Sequence, residues 1–205
     1  MTGNCSPRDN CNFIISVSAS SKKAGKSTVA SHLVRELGAD YGLKVSSGGT
    51  HGESRLVTDP NVISTPGTDT GALVAAGAGL VLWVNASPGK LREELERALS
   101  MFPPGGLLVI EGNSALAHIS PDFAVFLMSV PFEDFKPSAS LALEKADLVL
   151  GNLTGALAGL DRPSLESEIR GRATSASVYF YDESSYATAL AETVRLVRSC
   201  WGQTP

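Results

Sequence analysis

Apolar residues along this chain gather in short, scarcely alternating runs separated by longer mixed stretches. Residues 13–17, 43–45, 80–84, 107–110, 123–130 and 148–150 are rich in Val, Ile, Leu and Phe, and 177–181 make a seventh run. Runs of this kind predict strands covered on both faces, as in a parallel sheet. The intervening stretches carry helical spacing. STVASHLVRELGADYG places Val29, Leu33, Val34 and Leu37 on one face and ends at a glycine. Residues 88–101 follow Ser87, which predicts a helix with Ser87 as N-cap and Pro88 at its first position. SASLALEKA (138–146) and residues 186–201 supply two more helices, and GALVAAGAGLVLWVNA (71–86) reads as a helix followed by a buried strand. Strand and helix alternating throughout predict an α/β fold, a three-layer αβα sandwich around a mainly parallel sheet of about seven strands.

Two long connections interrupt the alternation: 46–66, rich in Gly, Ser and Thr, and 151–175, expected to hold a short helix. Long loops in compact domains are commonly functional. In parallel sheets ligands collect where loops leave the carboxyl ends of strands, and the first connection leaves such an end. No internal repeat or domain boundary is visible. Residues 1–11 read as a flexible polar tail, and 12–205 as one domain.

Composition narrows the function. Of 205 residues, 43% are hydrophobic and 19% charged, a globular balance. The formal charge of −4 argues against a nucleic-acid binder, so any phosphate recognition must be local. Cys5, Cys11 and Cys200 form neither a disulfide framework nor a CxxC pair, which fits a reducing cytoplasm. Cys5 and Cys11 could ligate a metal or simply belong to the tail. The polar start resembles no signal peptide, and 71–86 is too short and glycine-rich to span a bilayer. The expectation is a cytoplasmic protein with neither nucleic-acid nor membrane partners.

The candidate chemistry lies in SSKKAGKST (20–28), directly after NFIISVSA. A phosphate loop needs a buried strand before it, a turn presenting backbone N–H groups as an anion nest, and a helix starting at once behind it. All three are readable here. Ser21, Lys22, Lys23, Ala24, Gly25, Lys26, Ser27 and Thr28 form the expected nucleotide-binding loop. Lys26 would reach the β- and γ-phosphates, and the Ser27 hydroxyl would hold Mg²⁺. Ser20 stands where the usual pattern has glycine, which a small residue can replace if its φ is negative. Lys22 and Lys23 either add charge over the phosphates or are solvated.

The run KKAGKST resembles the KKSGKTT loop of the molybdopterin-guanine dinucleotide biosynthesis protein B family, small P-loop NTPases. Thr50-His51, then Pro66-Gly67-Thr68-Asp69-Thr70, then Ala76-Gly77-Ala78 before LVLWV, and Glu111-Gly112 after LLVI follow in that family's order. The resemblance covers roughly residues 13–115. Ser20 replaces the family's glycine, and the segment around His51 lacks its run of histidines. The resemblance implies a P-loop fold, Mg²⁺ with ATP or GTP, a cofactor-biosynthesis protein partner and a homodimer. GTDTG (67–71) looks like the opening of the dethiobiotin synthetase loop, but no GK[ST] follows it. It reads instead as a helix start capped by Thr68 or Asp69, either a plain cap or a loop turned toward Mg²⁺ or substrate.

Glu111 ends an apolar strand, where a buried carboxylate needs a partner. It would hold Mg²⁺ through water or orient an attacking water, or else sit on the exposed rim, and adjacent Gly112, which permits close backbone approach, favours the first. Asn113 and Ser114 could line the same edge. Lys26 and Glu111 are thus the expected catalytic residues, with Ser27 and Glu111 the metal-facing ones. Thr50 and His51 are either solvated or turned to the site. Asn152 ends a late strand, where it either contacts the base or caps its loop. Leu153 and Gly155 replace the lysine and aspartate of NKxD, so no guanine preference follows, and Asp161-Arg162 add little. The chain reads as an Mg²⁺-dependent NTPase. The alternatives are a kinase or ligase passing phosphate to a small metabolite, and a nucleotide-switched adaptor.

Overall fold

A computed structural model describes residues 12–47, 54–129, 135–154 and 161–202. The strands are β1 (Phe13–Ala19), β2 (Tyr41–Ser47), β3 (Arg55–Val57), β4 (Leu80–Ala86), β5 (Leu107–Glu111), β6 (Phe123–Ser129), β7 (Leu148–Asn152) and β8 (Ser177–Tyr181). The helices are α1 (Lys26–Leu37), α2 (Pro60–Ile63), α3 (Asp69–Ala76), α4 (Leu91–Leu99), α5 (Pro137–Glu144), α6 (Arg162–Arg172) and α7 (Tyr186–Trp201). One sheet in the order β3-β4-β2-β5-β1-β6-β7-β8 carries them, parallel except at β3. The three-layer architecture and all seven anticipated strands are present, and β3 makes an eighth.

Alternate residues of the inner strands pack to opposite sides. Ile15, Val17, Leu107, Val109, Val125 and Leu127 meet α1, α3 and α7 through Val29, Leu33, Leu73 and Val194. Leu43, Val45, Leu82, Val84, Leu108 and Ile110 meet α4 through Leu91 and Leu95. Phe126, Met128 and Val149 meet α5 and α6 through Ala139, Leu143 and Ile169. Burial on both sides explains why these strands scarcely alternate in sequence.

Two local readings are corrected. The connection 46–66 contains α2 and β3, a three-residue edge strand that pairs antiparallel with β4, Arg55 opposite Asn85. The Arg55 guanidinium lies 5.6 Å from the Trp83 ring centroid. Ser87 is no helix cap. Its amide donates to Ser54 Oγ at 3.0 Å, its carbonyl accepts a turn bond from Lys90 N, and α4 starts only at Leu91. The segment joined to β3 captures the serine that would otherwise have capped the helix.

The carboxyl ends of β1 and β5, at the centre of the sheet, point at the N-termini of α1 and α3, which pack on each other. The chemistry assembles there. No helix among the described residues is long and apolar enough to cross a membrane. The tail 1–11 with Cys5 and Cys11, and Thr50 and His51, lie outside the described residues.

Candidate functional site

β1 is buried over Ile15–Ala19 and delivers the chain to the loop at Ser20, whose amide donates to Leu127 O of β6 at 2.8 Å. Ser20 is not among the residues with positive φ, so the missing glycine costs nothing there. The left-handed positions are Lys23 (φ 64°) and Gly25 (φ 89°), and Lys23 is the one non-glycine residue with positive φ among the described residues. Strain of this kind costs about 1–3 kcal/mol and concentrates at functional turns. Left-handed residues alternating with right-handed ones turn successive amides inward as an anion nest.

Gly25 is the N-cap of α1. It offers no side-chain cap, and the first turn holds no acidic residue. The free amides of that turn and the positive end of the helix dipole therefore remain for an anion. Lys26, the first residue of α1, folds back to donate to Ser21 O at 3.1 Å. Burial pushes its pKa below the ordinary lysine value; nearby Glu111 and Asp69 oppose that shift and Lys44 adds to it. Ser21, Lys22 and Lys23 are exposed, as is Thr28, while Ala24, Gly25, Lys26 and Ser27 are partly covered.

Asn113 locks the loop's entry. Its side chain accepts from Ala19 N at 2.9 Å and donates to Ala19 O at 2.7 Å, satisfying both backbone groups of the last β1 residue. The sequence places Asn113 at this edge; the geometry makes it a clamp on β1.

Beneath the loop lies a four-membered charge cluster. The Ser27 hydroxyl donates to Asp69 Oδ1 at 2.5 Å. Lys44 Nζ contacts Asp69 Oδ2 at 2.5 Å and Glu111 Oε1 at 2.7 Å. Lys44 and Glu111 are register partners on β2 and β5, which sets them side by side facing α1 and α3. Glu111 is 1% exposed, and its second oxygen, Oε2, has no partner among the described residues. Burial pushes the Lys44 pKa down, but the charge of Glu111 and hydrogen bonds to Asp69 and Glu111 outweigh it, leaving it raised. Burial likewise pushes the Asp69 carboxyl up, yet hydrogen bonds from Lys44 and Ser27 bring it below the usual carboxylate range.

Thr68, not Asp69, caps α3, its hydroxyl accepting from Gly71 N at 3.0 Å. Asp69 is thereby free to turn toward Ser27. Lys44 was not anticipated, because it sits inside the apolar run 43–45. The available signal was a lone charge in a strand bound for the interior, which must find a partner. Gly112 permits a close approach, but of the β2 backbone rather than a ligand: a Cβ there would stand 2.2 Å from Val45 O. Asn152 ends β7 with its Oδ1 accepting from Thr154 N at 2.8 Å, so that oxygen serves its own loop.

Mg²⁺ takes oxygen ligands and binds with phosphates through one or two carboxylates. The Ser27 hydroxyl, the adjoining Asp69 carboxylate and the unsatisfied Glu111 Oε2 fit that chemistry. The structure brings Ser27 and Glu111 into one cluster, linked through Asp69 and Lys44.

No protein-family model matches the chain, and no curated protein matches it. Among solved structures, hydrogenase maturation factor HypB from Archaeoglobus fulgidus aligns with a TM-score of 0.60 at 14% identity, covering 93% of this chain and 90% of that one. HypB from Helicobacter pylori, solved in complex with nickel, aligns with a TM-score of 0.61 at 13% identity, over 93% and 87%. At such identities the likeness establishes the α/β fold alone.

Proposed function

We propose that the loop 20–28 binds a nucleoside triphosphate with Mg²⁺ and that the protein hydrolyses it slowly. The observation that carries this is the start of α1, where an uncapped helix N-terminus follows the left-handed Lys23 and Gly25 and sets Lys26 at its first position. Amides of residues 22–28 cradle the α- and β-phosphates, and the Lys26 ammonium leaves Ser21 O to neutralise charge on the β–γ bridge. Ser27 and Asp69 hold Mg²⁺, with Glu111 behind them. When bound, the ion screens the phosphates and polarises the γ-phosphoryl group. The buried Glu111 Oε2 is an acceptor for the attacking water. Asn152, at the carboxyl end of β7, is proposed at the base end, with ATP and GTP both admitted.

The finer reading is a nucleotide-dependent step in molybdenum-cofactor biosynthesis, in the cytoplasm and with a protein partner. It rests on the resemblance carried by KKAGKST, Pro66–Thr70 and Glu111-Gly112. Calorimetric titration with ATP, GTP, ADP and GDP in Mg²⁺ tests the site. Lys26→Ala should weaken triphosphate binding by about ten- to a hundredfold, the worth of a charge-assisted contact. Absence of binding by any of the four nucleotides would overturn the proposal.

A further inference from the structure

We infer that Lys44 is a positioning residue that keeps the metal subsite closed to divalent cations until phosphate arrives. The inference builds on the nucleotide reading only in its final step, the transfer of the ammonium to phosphate. One nitrogen touches oxygens of both carboxylates, Asp69 Oδ2 at 2.5 Å and Glu111 Oε1 at 2.7 Å. These oxygens therefore already converge on a single cationic point. The Ser27 hydroxyl joins them through Asp69 Oδ1. Glu111 Oε2, fully buried without a partner among the described residues, is a further donor oxygen in the same cluster. Without Lys44, a hydroxyl and two carboxylates would be a ready site for a hard cation.

Lys44 is held in this place by its neighbours. β2 fixes it opposite Glu111, and Leu43 and Val45 anchor the strand in the core on the other face of the sheet. Its side chain is 16% exposed, so the ammonium depends on the two carboxylates rather than on bulk water. A divalent cation taking Asp69 would strip Lys44 of one of its two anionic partners. That exchange becomes favourable only when another anion is at hand, and a phosphate on the loop above supplies one. Metal and phosphate then enter together, and the Lys44 charge passes from Asp69 to the phosphate.

The test is a Mn²⁺ titration of the nucleotide-free protein, read by loss of the free-ion electron paramagnetic resonance signal. Because no nucleotide is present, the result stands whether or not the loop binds one. Lys44→Met should bind Mn²⁺ about tenfold tighter than wild type or better, since a unit charge at contact distance outweighs one such factor even near the surface. Wild type should bind weakly, and the double variant Lys44→Met/Glu111→Gln should return to wild-type behaviour. A Lys44→Met affinity equal to that of wild type, or a double variant as tight as the single one, overturns the inference. Should Lys44→Met not fold in metal-free buffer, Mn²⁺ must restore the fold, and failure to do so overturns the inference equally.

Discussion

Replacing Gly112 by alanine should be among the most damaging single-methyl changes available to this protein. Gly112 has φ 141°, a conformation in which side chains are strained, and the strain costs about 1–3 kcal/mol. The added Cβ would also stand 2.2 Å from Val45 O, 3.1 Å from Val45 C and 3.3 Å from Val45 Cβ. Two of these are backbone atoms of β2, so no rotamer change relieves them. β2 and β5 must separate locally by about an ångström, which disturbs native packing density. The Gly112 amide also donates to Val17 O, so moving Gly112 strains β1 as well. Together these should cost about 3–5 kcal/mol, in the range reserved for core disruption. Gly67→Ala isolates the conformational part: φ there is 78°, with nothing within 4 Å of a new Cβ. It should cost only about 1–2 kcal/mol. Urea denaturation of both variants, with nucleotide affinity measured alongside, checks the contrast. Equal losses at the two sites, or a Gly112→Ala variant within about 1 kcal/mol of wild type, would refute the reasoning.

Asn113→Ala removes both bonds to the Ala19 backbone and should cost about 2–3 kcal/mol by urea denaturation while weakening nucleotide binding. A variant as stable as wild type would show that the clamp is dispensable. Asp69 has a folded-state pKa below its ordinary 3.8. Its contribution is therefore fully present above that value and disappears as pH falls through the lower folded value. Stability measured from neutral into acid should fall less steeply in Asp69→Asn than in wild type; parallel curves would count against the Lys44 and Ser27 contacts.

Much of the fold was legible because its causes are local or periodic. Apolar runs scarcely broken by polar residues marked β1 and β4 to β7, and the helical spacing of Val29, Leu33 and Leu37 marked α1. The strand, turn and helix around residues 20–28 were legible for the same reason, since they are contiguous. What was hidden depends on contacts far apart in sequence. Ser87 looks like a cap until Ser54, 33 residues earlier, claims its amide. β3 is a three-residue strand that exists only because β4 offers an edge. Asp69 and Ser27 meet across 42 residues, through the packing of α3 on α1.

An acidic chain that recognises phosphate cannot rely on a broad positive surface, and here the carboxylates lie in the site itself. Two lysines, Lys26 and Lys44, stand against two carboxylates, Asp69 and Glu111, before any ligand arrives. In the proposed nucleotide site, attraction for phosphate would come mainly from the uncapped amides of α1, whose field needs no net charge. In the exchange proposed above, metal taking Asp69 would free the Lys44 charge, making the site more positive as the phosphates bind. Lys44→Met should therefore weaken triphosphate binding more than diphosphate binding, since the freed charge would act where the terminal phosphate lies. Equal weakening of both would leave Lys44 a structural ion pair and nothing more.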